Sequence, residues 1–155
     1  LRRDVPLDPD PANLEARARR ARYHALAELA RQRHATAVLT AHHADDQLES
    51  LILALLRGRD PRRIRGIAWQ RPLDARSPQL RLLRPMLRLT RDQVRDYLTQ
   101  LDQPWREDHT NADPRRARNR LRRDVLPVLR ELNPRVATAA TDLTDAWRNL
   151  LNPSP

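Results

Sequence analysis

The 155-residue sequence has no cysteine, no lysine, no phenylalanine and a single methionine, Met86. Without cysteine it can form no disulfide, offer no thiolate to zinc and carry no persulfide. Aromatics at 3% argue against an aromatic platform for stacking single-stranded RNA, so backbone charge contacts would have to supply most of any RNA affinity. Glycine is limited to Gly58 and Gly66, which leaves no glycine-rich loop whose bare N–H groups could converge on a phosphate. Apolar runs are short and broken by charge. Neither a membrane span nor a signal peptide is expected, and the sequence reads as a soluble, cytoplasmic protein with no membrane partner.

What is abundant is arginine. All 30 basic residues are arginine against 20 acidic ones, giving a formal charge of +10 and a pI near 11.5. A lysine-poor proteome would explain the choice of arginine, but not the net charge. The planar guanidinium fork grips phosphate in two places and stacks on bases, so RNA or a nucleotide is the natural partner class. At 18.1 kDa there is room for one ordinary domain, or the remains of one with a small helical appendage. Leu1 at the start and Met86 as the only methionine suggest a fragment or an incomplete gene model.

Along the chain, Asp10-Pro11 reads as an N-cap and first helical residue, opening a helix over Ala12 to Arg33 with Leu14, Ala18, Ala21, Ala25, Leu26 and Leu29 close to one stripe. Ala35 to Thr40 reads as a buried strand, and Ala44 to Leu56 as a helix stopped by Gly58 and Pro61. Helix, strand, helix is half of a parallel α/β unit, so some of the strands flanking it are expected outside this chain or in another copy. Arg59 to Arg81 reads as a loop and Leu82 to Leu87 as a short extended piece. Thr90 caps a helix Arg91 to Leu101, and Asp102 to Ala112 is irregular. Asp113-Pro114 opens a helix bent or ended near Pro127, and Asn133-Pro134 opens a last one to about Leu151.

The densest chemical signal is Thr40-Ala-His42-His43-Ala-Asp45-Asp46-Gln-Leu-Glu49-Ser50, where the strand ends and the next helix begins. Ligands of open α/β sheets sit at the carboxyl ends of strands. Asp46 and Glu49 are three apart and Asp45 and Glu49 four apart, so the carboxylates share a helix face near a histidine. Such a group can hold Mg²⁺, position a nucleotide or move a proton. The alternatives are an acidic first turn that only favours the helix dipole, or a His/Asp metal hydrolase, for which only His24, His34 and His109 remain as further histidine ligands.

His42-His43-x-Asp45-Asp46-x-x-Glu49-Ser50, followed by an apolar helix ending in Arg57-Gly58, resembles the second signature of the tRNA(Ile)-lysidine synthetases and their PP-loop relatives. Asn13-Leu-Glu15-Ala-Arg17 through Arg22-Tyr23 is similar to that family's arginine-bearing helix, and Leu83-Arg84-Pro85-Met-Leu to its "RPLL" segment. Trp105-Arg-Glu107-Asp108-x-x-Asn111, then Arg118-Asn119-Arg120-Leu121-Arg122 and Leu126-Pro127-x-Leu129, resembles its closing signature. These motifs run in family order over about residues 13 to 130. Two features depart from the pattern: the Ser-Gly-Gly-x-Asp-Ser loop that grips the ATP pyrophosphate is not present, nor are the C-terminal tRNA-binding domains of longer members.

The resemblance implies a partial Rossmann-like α/β fold of the adenine nucleotide alpha hydrolase type, with residues 1–88 as a partial ATPase domain and 89–155 as a helical part. It implies an ATP-dependent ligase forming a carbon–nitrogen bond: ATP adenylates the C2 oxygen of the wobble cytidine of tRNA(Ile), and the amine of free lysine displaces AMP. ATP and Mg²⁺ would be the cofactors. By position His42, Asp46 and Glu49 match active-site residues, Arg22 an arginine near the ATP phosphates, and Arg118, Asn119 and Arg122 substrate or phosphate contacts. Lacking the phosphate loop, this chain alone is expected to be inactive. A 2-thiocytidine synthetase type of PP-loop enzyme would need cysteines. A non-catalytic arginine-rich RNA-binding module is the alternative from another class, and the oligomeric state, a homodimer included, is left open.

Overall fold

The computed structural model describes residues 14–60, 64–74, 77–106 and 117–151. The elements are α1 (Leu14–Gln32), β1 (Ala37–Leu39), α2 (Ala44–Leu56), β2 (Gln70–Asp74), β3 (Ser77–Leu83), α3 (Arg91–Gln100), α4 (Ala117–Arg120), a π-helical turn (Leu121–Val125), α5 (Leu126–Leu132) and α6 (Val136–Leu151). Among the described residues no helix is long and apolar enough to cross a membrane. The expected helix starts at Asp10-Pro11 and Asp113-Pro114, and Asp108 and Asn111 of the closing signature, lie outside the described residues.

The fold is α/β, and its residues group into two compact units. The first holds the described residues up to Thr40 and those within 70–83. Its mixed sheet has the order β1-β3-β2, with β1 parallel to β3 (Val38 opposite Leu82) and β2 antiparallel to it (Arg71 opposite Leu82). Leu80 and Leu82, two apart on β3, point to one face and are buried with Leu73 of β2. Ala27 and Ala30 of α1 close that core, with Tyr23 and Val38 packed against it.

Two sequence expectations are corrected here. Gln70–Asp74 and Ser77–Leu83 form a strand pair, where the sequence up to Arg81 reads as the tail of a loop. Pro72 and Pro78, with arginines between the leucines, disguise it; Pro72 is tolerated because β2 is an edge strand. On one side β1 is flanked by β3 of this chain, which leaves open the expectation that other flanking strands lie outside it. β1 itself is an edge rather than a buried strand, with Leu39 64% exposed.

The second unit holds the described residues within 41–69 and 84–151. Ala44 and Leu48 of α2, one turn apart, pack against Ala137 and Ala140 of α6 and Leu126 of α5. Beside them the buried Gln47 accepts from the Ile67 N–H and donates to the Ile67 carbonyl, pinning the loop before β2. The turn needs a glycine at 66: its φ is +58°, and a Cβ would stand 2.7 Å from Gln47 Oε1 and 2.9 Å from Thr144 Cγ2. The same loop is tied to α6 through Trp69, whose indole N–H donates to Asp145 at 3.0 Å, and through Arg148, which donates to the Arg65 carbonyl.

Helix boundaries follow local chemistry. α2 spans the expected Ala44 to Leu56 and closes at Gly58, with the Arg59 N–H returning to the Ala54 carbonyl. α3 starts at Thr90, whose hydroxyl accepts from the Gln93 N–H while the Gln93 side chain accepts from the Thr90 N–H. The bend expected near Pro127 is the π-helical turn. Proline lacks the N–H that would bond the Arg123 carbonyl, and the Leu126 N–H reaches back five residues to Leu121 instead. A domain boundary near residue 88 stays a proposal, distinct from the spatial grouping above.

Candidate active site

Ala44, the first residue of α2, is buried, and the turn that follows carries Asp45, Asp46 and Glu49. Asp46 accepts from the His43 N–H at 3.1 Å, occupying a donor at the helix start. One turn on, Glu49 is only 1% exposed. A carboxylate so buried must be paired to stay ionised, and its partners come from 73 residues away: Arg122 Nε is 2.5 Å from Oε1 and Nη2 3.1 Å from Oε2, a two-pronged grip. Arg118 Nε lies 3.2 Å from Glu49 Oε2, and Arg122 Nη2 also reaches Asp46 Oδ1 at 3.3 Å. Burial pushes the Glu49 carboxyl up and the Arg122 guanidinium opposes it, while contact with Glu49 outweighs burial and raises Arg122 further.

Asp45 faces a separate set of partners. It is 2% exposed, accepts from Arg130 Nη2 at 2.5 Å and from the Arg91 N–H at 2.7 Å, and has His43 Nδ1 at 3.4 Å. It therefore ties the start of α2 to the start of α3 and to α5. Burial alone would raise its pKa, but His43, Arg130 and the Arg91 N–H together hold it far below the ordinary carboxylate range. Burial likewise pulls His43 down, yet Asp45, Asp46 and Glu49 outweigh it, so its pKa lies above the ordinary 6.5.

These opposite shifts set a pH window. The raised His43 contributes stability that is complete below pH 6.5 and is lost as pH rises through its folded value. The depressed Asp45 contributes stability that is complete above pH 3.8 and is lost as pH falls towards its folded value. The urea midpoint should therefore fall on the alkaline side as pH rises through the His43 value, and His43→Gln should flatten that fall. An unchanged alkaline slope in that variant would remove His43 from the account.

Of the residues singled out from sequence, the structure brings Asp46, Glu49, Arg118 and Arg122 together in the second unit. Asn119, on the same short helix as Arg118, is buried, and His42 is half-buried just before α2. Arg22 is exposed on α1 in the first unit. Asp45 and Glu49, expected to act on one face, serve different arginines. The residues missed were Arg130 and the structural role of His43. Nothing local signals the Arg130 contact, which spans 85 residues.

The carboxylates do not fit a Mg²⁺ site. A hard cation needs free oxygens, whereas both oxygens of Glu49 face Arg122, and those of Asp46 are engaged by Arg122 and the His43 N–H. Of the roles their spacing left open, holding Mg²⁺ is the one that this pairing of Asp46 and Glu49 does not favour. The arrangement instead presents two anchored guanidinium groups, 34% and 30% exposed at Arg118 and Arg122, suited to an anionic oxygen.

The family model described as a PP-loop domain matches residues 3–129. This chain belongs to the PP-loop family. Among its curated relatives, each named tRNA(Ile)-lysidine synthase, the Lactiplantibacillus plantarum protein is 39% identical over 147 residues, covering 95% of this chain and 32% of the relative. The Salinispora tropica protein is 48% identical over 134 residues, 85% and 39% of the two chains, and the Deinococcus radiodurans protein 44% over 133 residues, 86% and 21%. This PP-loop chain thus spans between about a fifth and two fifths of the length of those relatives.

Proposed function

We propose that this chain is part of an ATP-dependent carbon–nitrogen ligase that attaches free lysine to C2 of the wobble cytidine of tRNA(Ile). The observation that supports it best is the convergence on Glu49 of two signatures lying far apart in sequence, the acidic turn of α2 and the Arg118/Arg122 helix. In the reaction the C2 oxygen attacks the α-phosphate of ATP and pyrophosphate leaves. The lysine amine then attacks C2, the C2–oxygen bond breaks, and AMP departs. Negative charge builds on the α-phosphate in the first step, where donors fixed in advance act most strongly. Arg118 and Arg122 are assigned to that oxygen, with Asn119 beside them.

Glu49 and Asp46 are read as the groups that aim these arginines, so Glu49 is a positioning residue. His42 is assigned to hydrogen bonding or proton transfer at the same site, and Arg22 to the ATP phosphates. No protein ligand for Mg²⁺ is assigned. The chain as given, without the phosphate-gripping loop, is proposed to be inactive.

The test uses a complete protein that carries the Ser-Gly-Gly-x-Asp-Ser loop. Asp46→Asn removes half of the charge facing Arg122 Nη2 and should depress adenylation more than about tenfold, at least roughly 1.4 kcal/mol of transition-state stabilisation. Binding of tRNA should hardly change, because the arginines stay. Near-full pyrophosphate release by both Asp46→Asn and Glu49→Gln would reduce the acidic turn to a helix-capping feature.

A further inference from the structure

In a chain of charge +10, arginines on a surface carry information only where the tertiary structure has organised them. In the first unit it has. Arg19 and Tyr23 come from α1 and Arg71 from β2, and both guanidinium groups lie over the Tyr23 ring, each 5.1 Å from its centroid. With Arg20, His24 and Asp74 they line an open cleft of about 490 Å³.

The charges of this cleft are unbalanced. Its carboxylate, Asp74, lies 3.5 Å from Arg31, which offsets it, and Glu28 stands 4.0 Å from His24. Among the described residues neither Arg19 nor Arg20 is paired with a carboxylate. Contact with the Tyr23 ring restrains both guanidinium groups beside it. Arg71 is fixed further by donating from Nη1 to the Pro72 carbonyl at 2.8 Å. Donors held in this way lose little freedom on binding.

We propose that this cleft is a contact surface for the phosphodiester backbone of RNA, built from residues other than those of the acid–arginine site. The inference rests on the reading that the chain belongs to an enzyme acting on tRNA. Phosphate oxygens match the guanidinium fork in pairs, and successive phosphates along a strand suit several cations in one open cleft better than a single buried anion would. The protein's few aromatics leave backbone charge contacts as the main source of RNA affinity.

The experiment measures binding of a labelled tRNA transcript to the whole chain across a salt series. Arg19→Ala/Arg20→Ala is compared with Arg33→Ala/Arg57→Ala, a pair of exposed arginines outside the cleft that removes the same charge. The cleft variant should bind more weakly and lose about 0.7 to 0.9 from the log–log salt slope for each phosphate contact removed, while the control pair changes far less. Circular dichroism checks folding, and Tyr23→Leu, which keeps an apolar side chain but frees Arg19 and Arg71, should fall between. Equal losses in the two double variants would mean that only net charge matters. Displacement of the tRNA by ATP or poly-glutamate as readily as by unlabelled tRNA would mean a site for other anions. Either result overturns the proposal, as does a chain that binds no tRNA, and none of them bears on the adenylation assay that tests the ligase reading.

Discussion

Replacing Glu49 by glutamine is expected to lower the unfolding free energy by about 3 kcal/mol. The substitution keeps the shape and removes the charge, so it isolates the electrostatic role of a side chain that is 1% exposed. Arg122, gripping both oxygens, would lose its counter-charge, and an amide cannot accept on both sides. The cost falls at the low end for breaking a buried pair, because Arg122 keeps 30% of its side chain in solvent and can be partly hydrated. Urea unfolding followed by tryptophan fluorescence checks the figure. A double-mutant cycle with Arg122→Met should give a coupling above about 1 kcal/mol, since the residues are in direct contact. A loss under about 1 kcal/mol in Glu49→Gln would show the cluster to be well solvated and structurally dispensable.

In a complete protein with the phosphate loop, Arg122→Lys should slow adenylation about a hundredfold, the scale set by removing one preorganised donor from a developing oxyanion. Lysine keeps the positive charge near Glu49, so stability should move by less than about 1 kcal/mol. It is a point charge on a flexible stem, however, and cannot hold Glu49 with two donors while presenting a third to Asp46 or to substrate. Charge alone is therefore retained and geometry lost. Pyrophosphate release measured at saturating ATP and tRNA separates the two, and a variant keeping more than about a third of the rate would take Arg122 away from the reacting phosphate.

The helices of this protein were legible wherever their ends carry their own chemistry. Ala44 to Leu56 and the Thr90-capped α3 match the structure because a cap or a Gly58 turn acts within a few residues. Residues 70–81 were read as loop because their strand character comes from pairing. Arg71, Pro72 and Arg81 have no local reason to be extended, and only opposite one another do Leu73, Leu80 and Leu82 find a shared apolar face. The candidate site was half legible. The acidic turn and the Arg118/Arg122 helix each stood out as motifs, but that they meet at one buried carboxylate did not.

The sequence by itself determined the charge, the exclusion of thiol chemistry, the family signatures, and those helix ends where a side chain within three or four residues satisfies a backbone group. Only the tertiary structure decided which carboxylate meets which arginine. Asp45 and Glu49 are equivalent by spacing on one helix, yet one is held by Arg130 and the other by Arg122 and Arg118. The reason is physical. Burial makes an unpaired carboxylate prohibitive, so each acid must find a cation, and which cation is within reach depends on how α4, the π-helical turn and α5 pack against α2, over separations of 73 and 85 residues that no local pattern encodes.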